Sequence, residues 1–114
     1  MARSRPQVVA VLVTCPNRRS AERIATALIS RRHAACVNLL PGVTSVYEWQ
    51  GRLERSAELL LIIKTTRAGF PRVQRTVLEL HPYDVPEIIA LPVAAGYRAY
   101  LEWVCASLSK RKQS

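Results

Sequence analysis

The sequence predicts an α+β fold in which two helices cover one face of an antiparallel sheet, with a third helix added at the C-terminus. Three observations predict it. Strand-like apolar runs and amphipathic helical stripes follow one another in the order βαβ, βαβ, helix. The block Leu59-Leu60-Leu61-Ile62-Ile63 does not alternate with polar residues, so both faces of its strand need cover. A chain of 114 residues with 49% hydrophobic content can also supply one core without disulfides.

Gln7 to Cys15 is rich in valine and reads as the first strand, closed by the turn signal Pro16-Asn17. A helix follows from Ser20 to Arg32, where Ala21, Ile24, Ala25, Leu28 and Ile29 recur at helical spacing and most of the charged residues fall outside that stripe. Ala35 to Leu40 is a second strand. Pro41-Gly42 punctuates it, and Val43 to Trp49 continues as extended chain to Gln50-Gly51, a hairpin turn. Arg52 to Thr66 runs back as the long third strand.

Phe70 to Leu80 returns to helical spacing, with Phe70, Val73, Val77 and Leu80 inward and Pro71 in the first turn. His81-Pro82 ends it, because the residue before proline is pushed out of the α region. Glu87 to Val93 is a short strand, and Tyr97 to Leu108 is a last helix with Leu101, Val104, Cys105 and Leu108 inward. This order is that of the ferredoxin-like split βαβ sandwich. Its two main helices bury one sheet face only, yet Val8 to Val13 and Leu59 to Ile63 are apolar on both. A second copy of the chain is the simplest lid, so the pattern points to an oligomer.

Residues 7–108 form a single domain in this reading, with residues 1–6 and 109–114 as basic tails. The first apolar run is too short for a signal sequence or a membrane span, and the three cysteines, Cys15, Cys36 and Cys105, form no C-x-x-C pair. Reduced thiols, a cytoplasmic location and no membrane partner are expected. The formal net charge of +9 would attract polyanions, but five of the 17 cations lie in the tails. A solvated basic surface with no nucleic-acid partner is the simpler reading.

No G-x-S-x-G, H-E-x-x-H or P-loop is present, and Cys15 and Cys36 have no neighbouring base in sequence, so no enzyme is expected. The aromatic residues Tyr47, Trp49, Tyr83, Tyr97, Tyr100 and Trp103 lack an RNP-like context and are read as packing groups. His33, close to a helix C-terminus where positive charge is favoured, is read as structural.

Several separate motifs occur in one order: Ala34-Ala35-Cys36-Val37-Asn38-Leu39-Leu40-Pro41-Gly42, Ser45-Val46-Tyr47-Glu48-Trp49-Gln50-Gly51, Glu58 with Ile63-Lys64-Thr65, His81-Pro82-Tyr83-Asp84-Val85-Pro86-Glu87, Leu91-Pro92, and Tyr100-Leu101-Glu102-Trp103. Together they resemble the CutA family of divalent-cation tolerance proteins over about residues 7 to 108. The resemblance implies a ferredoxin-like protomer, a homotrimer with strands shared across subunits, and binding of Cu2+ or another divalent metal ion, with no organic cofactor. In architecture alone it is also similar to the PII signalling proteins. The family's metal ligands are a cysteine of the first strand, the glutamate opening the long apolar strand and the histidine of His-Pro-Tyr. The last two match Glu58 and His81. The family cysteine aligns with Val13, and this chain offers Cys15 two residues on, the same strand face but about 6 to 7 Å away.

Each of the three also has a plain structural role open to it: His81 bonding its turn, Glu58 pairing with Arg55 or Lys64, Cys15 as a small buried hydrophobe. The alternative function is a PII-like regulatory module that binds a small anionic ligand in intersubunit clefts through Lys64, Arg67 or Arg98. A third is a nucleic-acid binder driven by the net charge, with affinity that falls steeply with salt.

Overall fold

The computed structural model describes residues 6–109; apart from Pro6 and Ser109, the two basic tails lie outside them. The elements are β1 (Val8–Cys15), α1 (Arg18–Ser30), β2 (Cys36–Trp49), β3 (Arg52–Thr66), α2 (Phe70–Leu80), β4 (Ile89–Pro92) and α3 (Arg98–Ser109). The four strands form one antiparallel sheet in the order β2-β3-β1-β4.

Most element boundaries agree with the sequence pattern to within two residues, and the differences have local causes. α1 begins at Arg18 rather than Ser20 because Asn17 caps it, its side chain accepting the Ser20 amide at 2.8 Å. β4 is shorter than Glu87 to Val93: Ile89 to Pro92 pair with β1, and Val93 adds a single further bond, its amide donating to the Val8 carbonyl at 3.0 Å. Pro41-Gly42 does not divide β2. The two residues form a bulge in an unbroken strand, with the register shifting between Leu40↔Leu60 and Val43↔Glu58 while Gly42 takes a positive φ of 81°. At the hairpin tip Gln50 (φ 53°) and Gly51 (φ 79°) are both left-handed, the two-residue turn that matches the strand twist.

Alternation along β1 and β3 sends Val9, Val11, Val13 and Cys15, with Leu59, Leu61 and Ile63, into one core. α1 closes it with Ala21, Ile24 and Leu28, and α2 with Val73 and Val77. Of the helical stripe, Ile29 is left exposed. The opposite sheet face carries Leu12, Leu60 and Ile62, which are half-buried. Here the cover differs from expectation: α3 packs against β3 and β1 and buries Val104 completely, so part of this face is covered within the protomer.

The sheet does not extend along the whole hairpin. β1 ends where Cys15 faces Leu59, so residues 43–58 project beyond it as a two-stranded ribbon. Val46, Tyr47, Trp49 and Leu53 on that ribbon are exposed, Leu53 to 74%. A lone ribbon is marginally stable in water, and such apolar exposure marks an interaction surface.

Two substitutions test this account. Leu61→Ala should lower stability by about 2–5 kcal/mol, because a fully buried position cannot collapse around the cavity. Gly51→Ala should cost about 1 kcal/mol through its positive φ alone, with no clash to relieve. Urea denaturation midpoints measure both.

Candidate functional site

The three sequence-nominated residues each lie near the end of β1, without forming a cluster that could hold a metal ion among the described residues. Glu58 is the β3 residue just past the Cys15↔Leu59 pair, and His81 caps the C-terminus of α2. The loop that follows, residues 82–88, returns the chain to the sheet edge. His81 Nε2 lies 2.8 Å from the Thr14 carbonyl, and the Tyr83 amide donates to Nδ1 at 3.1 Å. An acceptor at Nδ1 and a carbonyl at Nε2 define the neutral tautomer protonated on Nε2. The turn-bonding role considered for His81 is therefore present, with both ring nitrogens engaged.

Glu58 is 7% exposed and pairs with neither Arg55 nor Lys64. Its Oε1 accepts from the Ser45 hydroxyl at 2.6 Å and its Oε2 from the Tyr83 hydroxyl at 2.9 Å. Among the described residues no lysine or arginine forms an ion pair with it. Burial first, and then the hydrogen bond to Glu58, push the Tyr83 phenol up to about 12, so it serves as a neutral donor to the carboxylate.

Cys15 is fully buried in the main core. Desolvation, against a hydrogen bond from Ser20 and with the Glu58 charge adding to it, pushes its thiol up to about 11. It is a neutral thiol at physiological pH.

Beside these groups lies an open cavity of about 730 Å³. Glu58, Asp84 and Glu87 contribute carboxylates to its lining, and Tyr47, Trp49 and Tyr83 contribute rings. Ser45 was legible as a partner of Glu58 in principle: the Gln50-Gly51 turn fixes the pairing Val43↔Glu58, and Ser45 lies diagonal to it on the same strand face. Asp84, Glu87 and the Thr14 carbonyl left no such signal, because a loop places the first two and a backbone atom is the third.

Two of the three cations nominated for an anionic ligand are otherwise occupied, and only Arg67 has no side-chain partner among the described residues. Lys64 donates to Asn38 and approaches Cys36 Sγ at 3.9 Å, and Arg98 pairs with Glu102 at 3.3 Å. His33 has a structural place, its Nδ1 3.0 Å from the Thr76 hydroxyl, though not through a positive charge. Desolvation and then Arg72, Arg31 and Arg75 hold its pKa below the ordinary value, so it is a neutral partner for the Thr76 hydroxyl and not a cation at the helix end.

Fold and site together define a class: an α+β protein with a four-stranded antiparallel sheet, three helices and a buried, hydroxyl-bonded carboxylate at the root of a projecting hairpin. The family profile described as CutA1 divalent ion tolerance protein matches residues 9–107. The chain belongs to that family. It is 53% identical over 94 residues to the divalent-cation tolerance protein CutA of Thermus thermophilus, covering 82% of this chain and 91% of that one. It is 50% identical over 97 residues to protein CutA of Mus musculus, covering 85% of this chain and 55% of the relative, so it spans about half the length of that mammalian protein. The crystal structure of CutA1 from Oryza sativa superposes with a TM-score of 0.89 at 43% identity, covering 93% of this chain and 97% of that one.

The thiol environment makes a prediction. A folded-state pKa raised above the unfolded value means that the stability contributed by neutral Cys15 is present below about pH 9 and is lost as pH rises towards 11. Iodoacetamide at pH 8, read by mass spectrometry, should modify the half-buried Cys36 and Cys105 while leaving Cys15 intact until the protein unfolds.

Proposed function

We propose that the chain works without catalysis in the tolerance of divalent cations, as a cytoplasmic homotrimer that holds a divalent ion at Glu58. The observation that carries this reading is the Glu58 carboxylate itself, buried, without a cationic partner among the described residues, and facing a cavity that two further carboxylates line. An uncompensated buried anion is costly, and a bound cation would relieve that cost.

The proposed ligand set of Glu58, His81 and Cys15 is not preassembled within a protomer. Among the described residues no three His, Cys, Asp or Glu side chains cluster closely enough to hold a metal ion. Glu58 fits such a role as it stands, since each carboxylate oxygen keeps a free lone pair. His81 fits only by giving up its bond to the Thr14 carbonyl, and Cys15 only by losing a strongly held proton. Carboxylate ligation alone suits hard ions, and recruitment of imidazole or thiolate would favour copper or zinc.

The trimer is supported by the exposed apolar ribbon and by the short, exposed β4 at the sheet edge. In this reading residues 7–108 act as one ferredoxin-like domain. No helix among the described residues is long and apolar enough to cross a membrane.

Calorimetric titration with copper and zinc should give measurable binding to the wild type, a loss of about tenfold or more for Glu58→Gln, a smaller loss for His81→Ala and the least change for Cys15→Ser. Equal affinities in all four proteins would refute metal binding at this site. Light scattering should report a mass of about 38 kDa, three times the 12.8 kDa protomer, and Trp49→Ala should weaken assembly more than protomer folding. A stable monomer at micromolar concentration would refute the trimer.

A further inference from the structure

The charge of the described residues is divided between two sides of the molecule. Residues 18–33 and 67–81, which form α1, α2 and their adjoining loops, carry eight arginines against two glutamates. The remaining described residues carry four cations against six anions. The positive excess of the folded body therefore lies entirely on the helical layer, and the rest is net negative.

Within that layer the arginines are grouped. Arg19, Arg23 and Arg31 line a shallow groove on α1 that Leu80 of α2 also borders. Arg31 crosses to α2, bonding Glu79 at 3.0 Å and Thr76 at 3.3 Å. His33, bonded to the same Thr76 hydroxyl, feels burial first and then the charges of Arg72, Arg31 and Arg75. One basic surface thus runs across both helices. Glu22 and Glu79 are held by Arg18 and Arg31, which leaves six arginines of the layer outside any ion pair among the described residues, Arg19, Arg23, Arg72 and Arg75 on the two helices and Arg32 and Arg67 in the adjoining loops.

The chemistry of the layer selects among anionic partners. All its cations are arginine, whose planar fork matches phosphate oxygens two at a time. Its one Phe, Tyr or Trp residue, Phe70, packs against the core, so the layer has no ring on which an unpaired base could stack or that could anchor it at a lipid headgroup. α1, with 13 residues, is about 20 Å long, enough to follow several successive phosphates of a duplex.

We infer that the α1/α2 face binds the phosphate backbone of double-stranded nucleic acid without reading its sequence, with Arg19, Arg23, Arg72 and Arg75 as the contacts. This goes beyond cation tolerance and does not depend on it. It also replaces the simpler view of the basic surface as solvated.

Fluorescence anisotropy of a labelled random-sequence duplex of about 20 base pairs, titrated with the full chain, tests it. Log affinity should fall linearly with log salt, with a slope of about −3 to −4 for four contacts or slightly fewer. Arg23→Gln combined with Arg72→Gln should weaken binding by about tenfold or more. Arg52→Gln combined with Arg98→Gln removes the same charge from the opposite side and should change it by less than about twofold. That contrast should persist when the tail cations Arg3, Arg5, Lys110, Arg111 and Lys112 are replaced by serine. Equal losses in the two pairs, binding abolished by the tail replacements, or no duplex binding at about 50 mM salt would overturn the inference. So would stronger patch-dependent binding to phosphatidylserine vesicles than to the duplex.

Discussion

Because β1 stays paired with β3 only from Thr66 to Leu59, while β2 accompanies β3 all the way to Arg52, the molecule has a place where the sheet stops and the chain continues. Everything of interest is organised around that point. Up to it, alternation drives Leu61 and Ile63 into the core beside Val11 and Val13. Past it, the two remaining strands have no third partner to bury their apolar side chains, and Val46, Tyr47, Trp49 and Leu53 are left in solvent. Glu58 sits at the step between the two regimes. Its carboxylate is buried because the loop after α2 crosses the end of β1 and brings the Tyr83 hydroxyl against it.

The same step explains how a charged side chain is tolerated there. Two hydroxyl donors satisfy the carboxylate without neutralising it. Burial first, with Glu58 adding to it, raises the neighbouring Cys15 and Tyr83 and keeps both protonated. The buried Cys15 thiol, held protonated, is a poor nucleophile at physiological pH, and Asp84 and Glu87 add two further carboxylates to the cavity that Glu58 lines.

Charge is distributed over the whole molecule on a similar plan. The hairpin, the cavity and the C-terminal helix have a slight excess of acid, whereas the two helices on the other side of the core are strongly basic. The proposed cation site and the proposed polyanion surface are compatible because the sheet and its core separate them, and interactions between exposed charges at physiological salt decay over about 8 Å.

Much of the fold was legible in the sequence. The Gln50-Gly51 turn, the limits of β3 and α2 and the inward stripe of α1 follow from turn chemistry and periodicity, which act over a few residues and so are written locally. The nomination of Glu58, His81 and Cys15 as one neighbourhood came from a resemblance, and their coming together depends on strand register and on the path of residues 82–88. What only the tertiary structure decided is what each group faces. The Thr14 carbonyl takes the His81 ring, Tyr83 and Ser45 take Glu58, α3 takes part of the second sheet face, and eight arginines scattered through two sequence segments become one basic layer. A sequence fixes local torsional preference and the period of burial. The partner that satisfies a buried polar atom, and the side of the sheet on which a charge emerges, are set by contacts between residues tens of positions apart, and those exist only once the chain has closed its core.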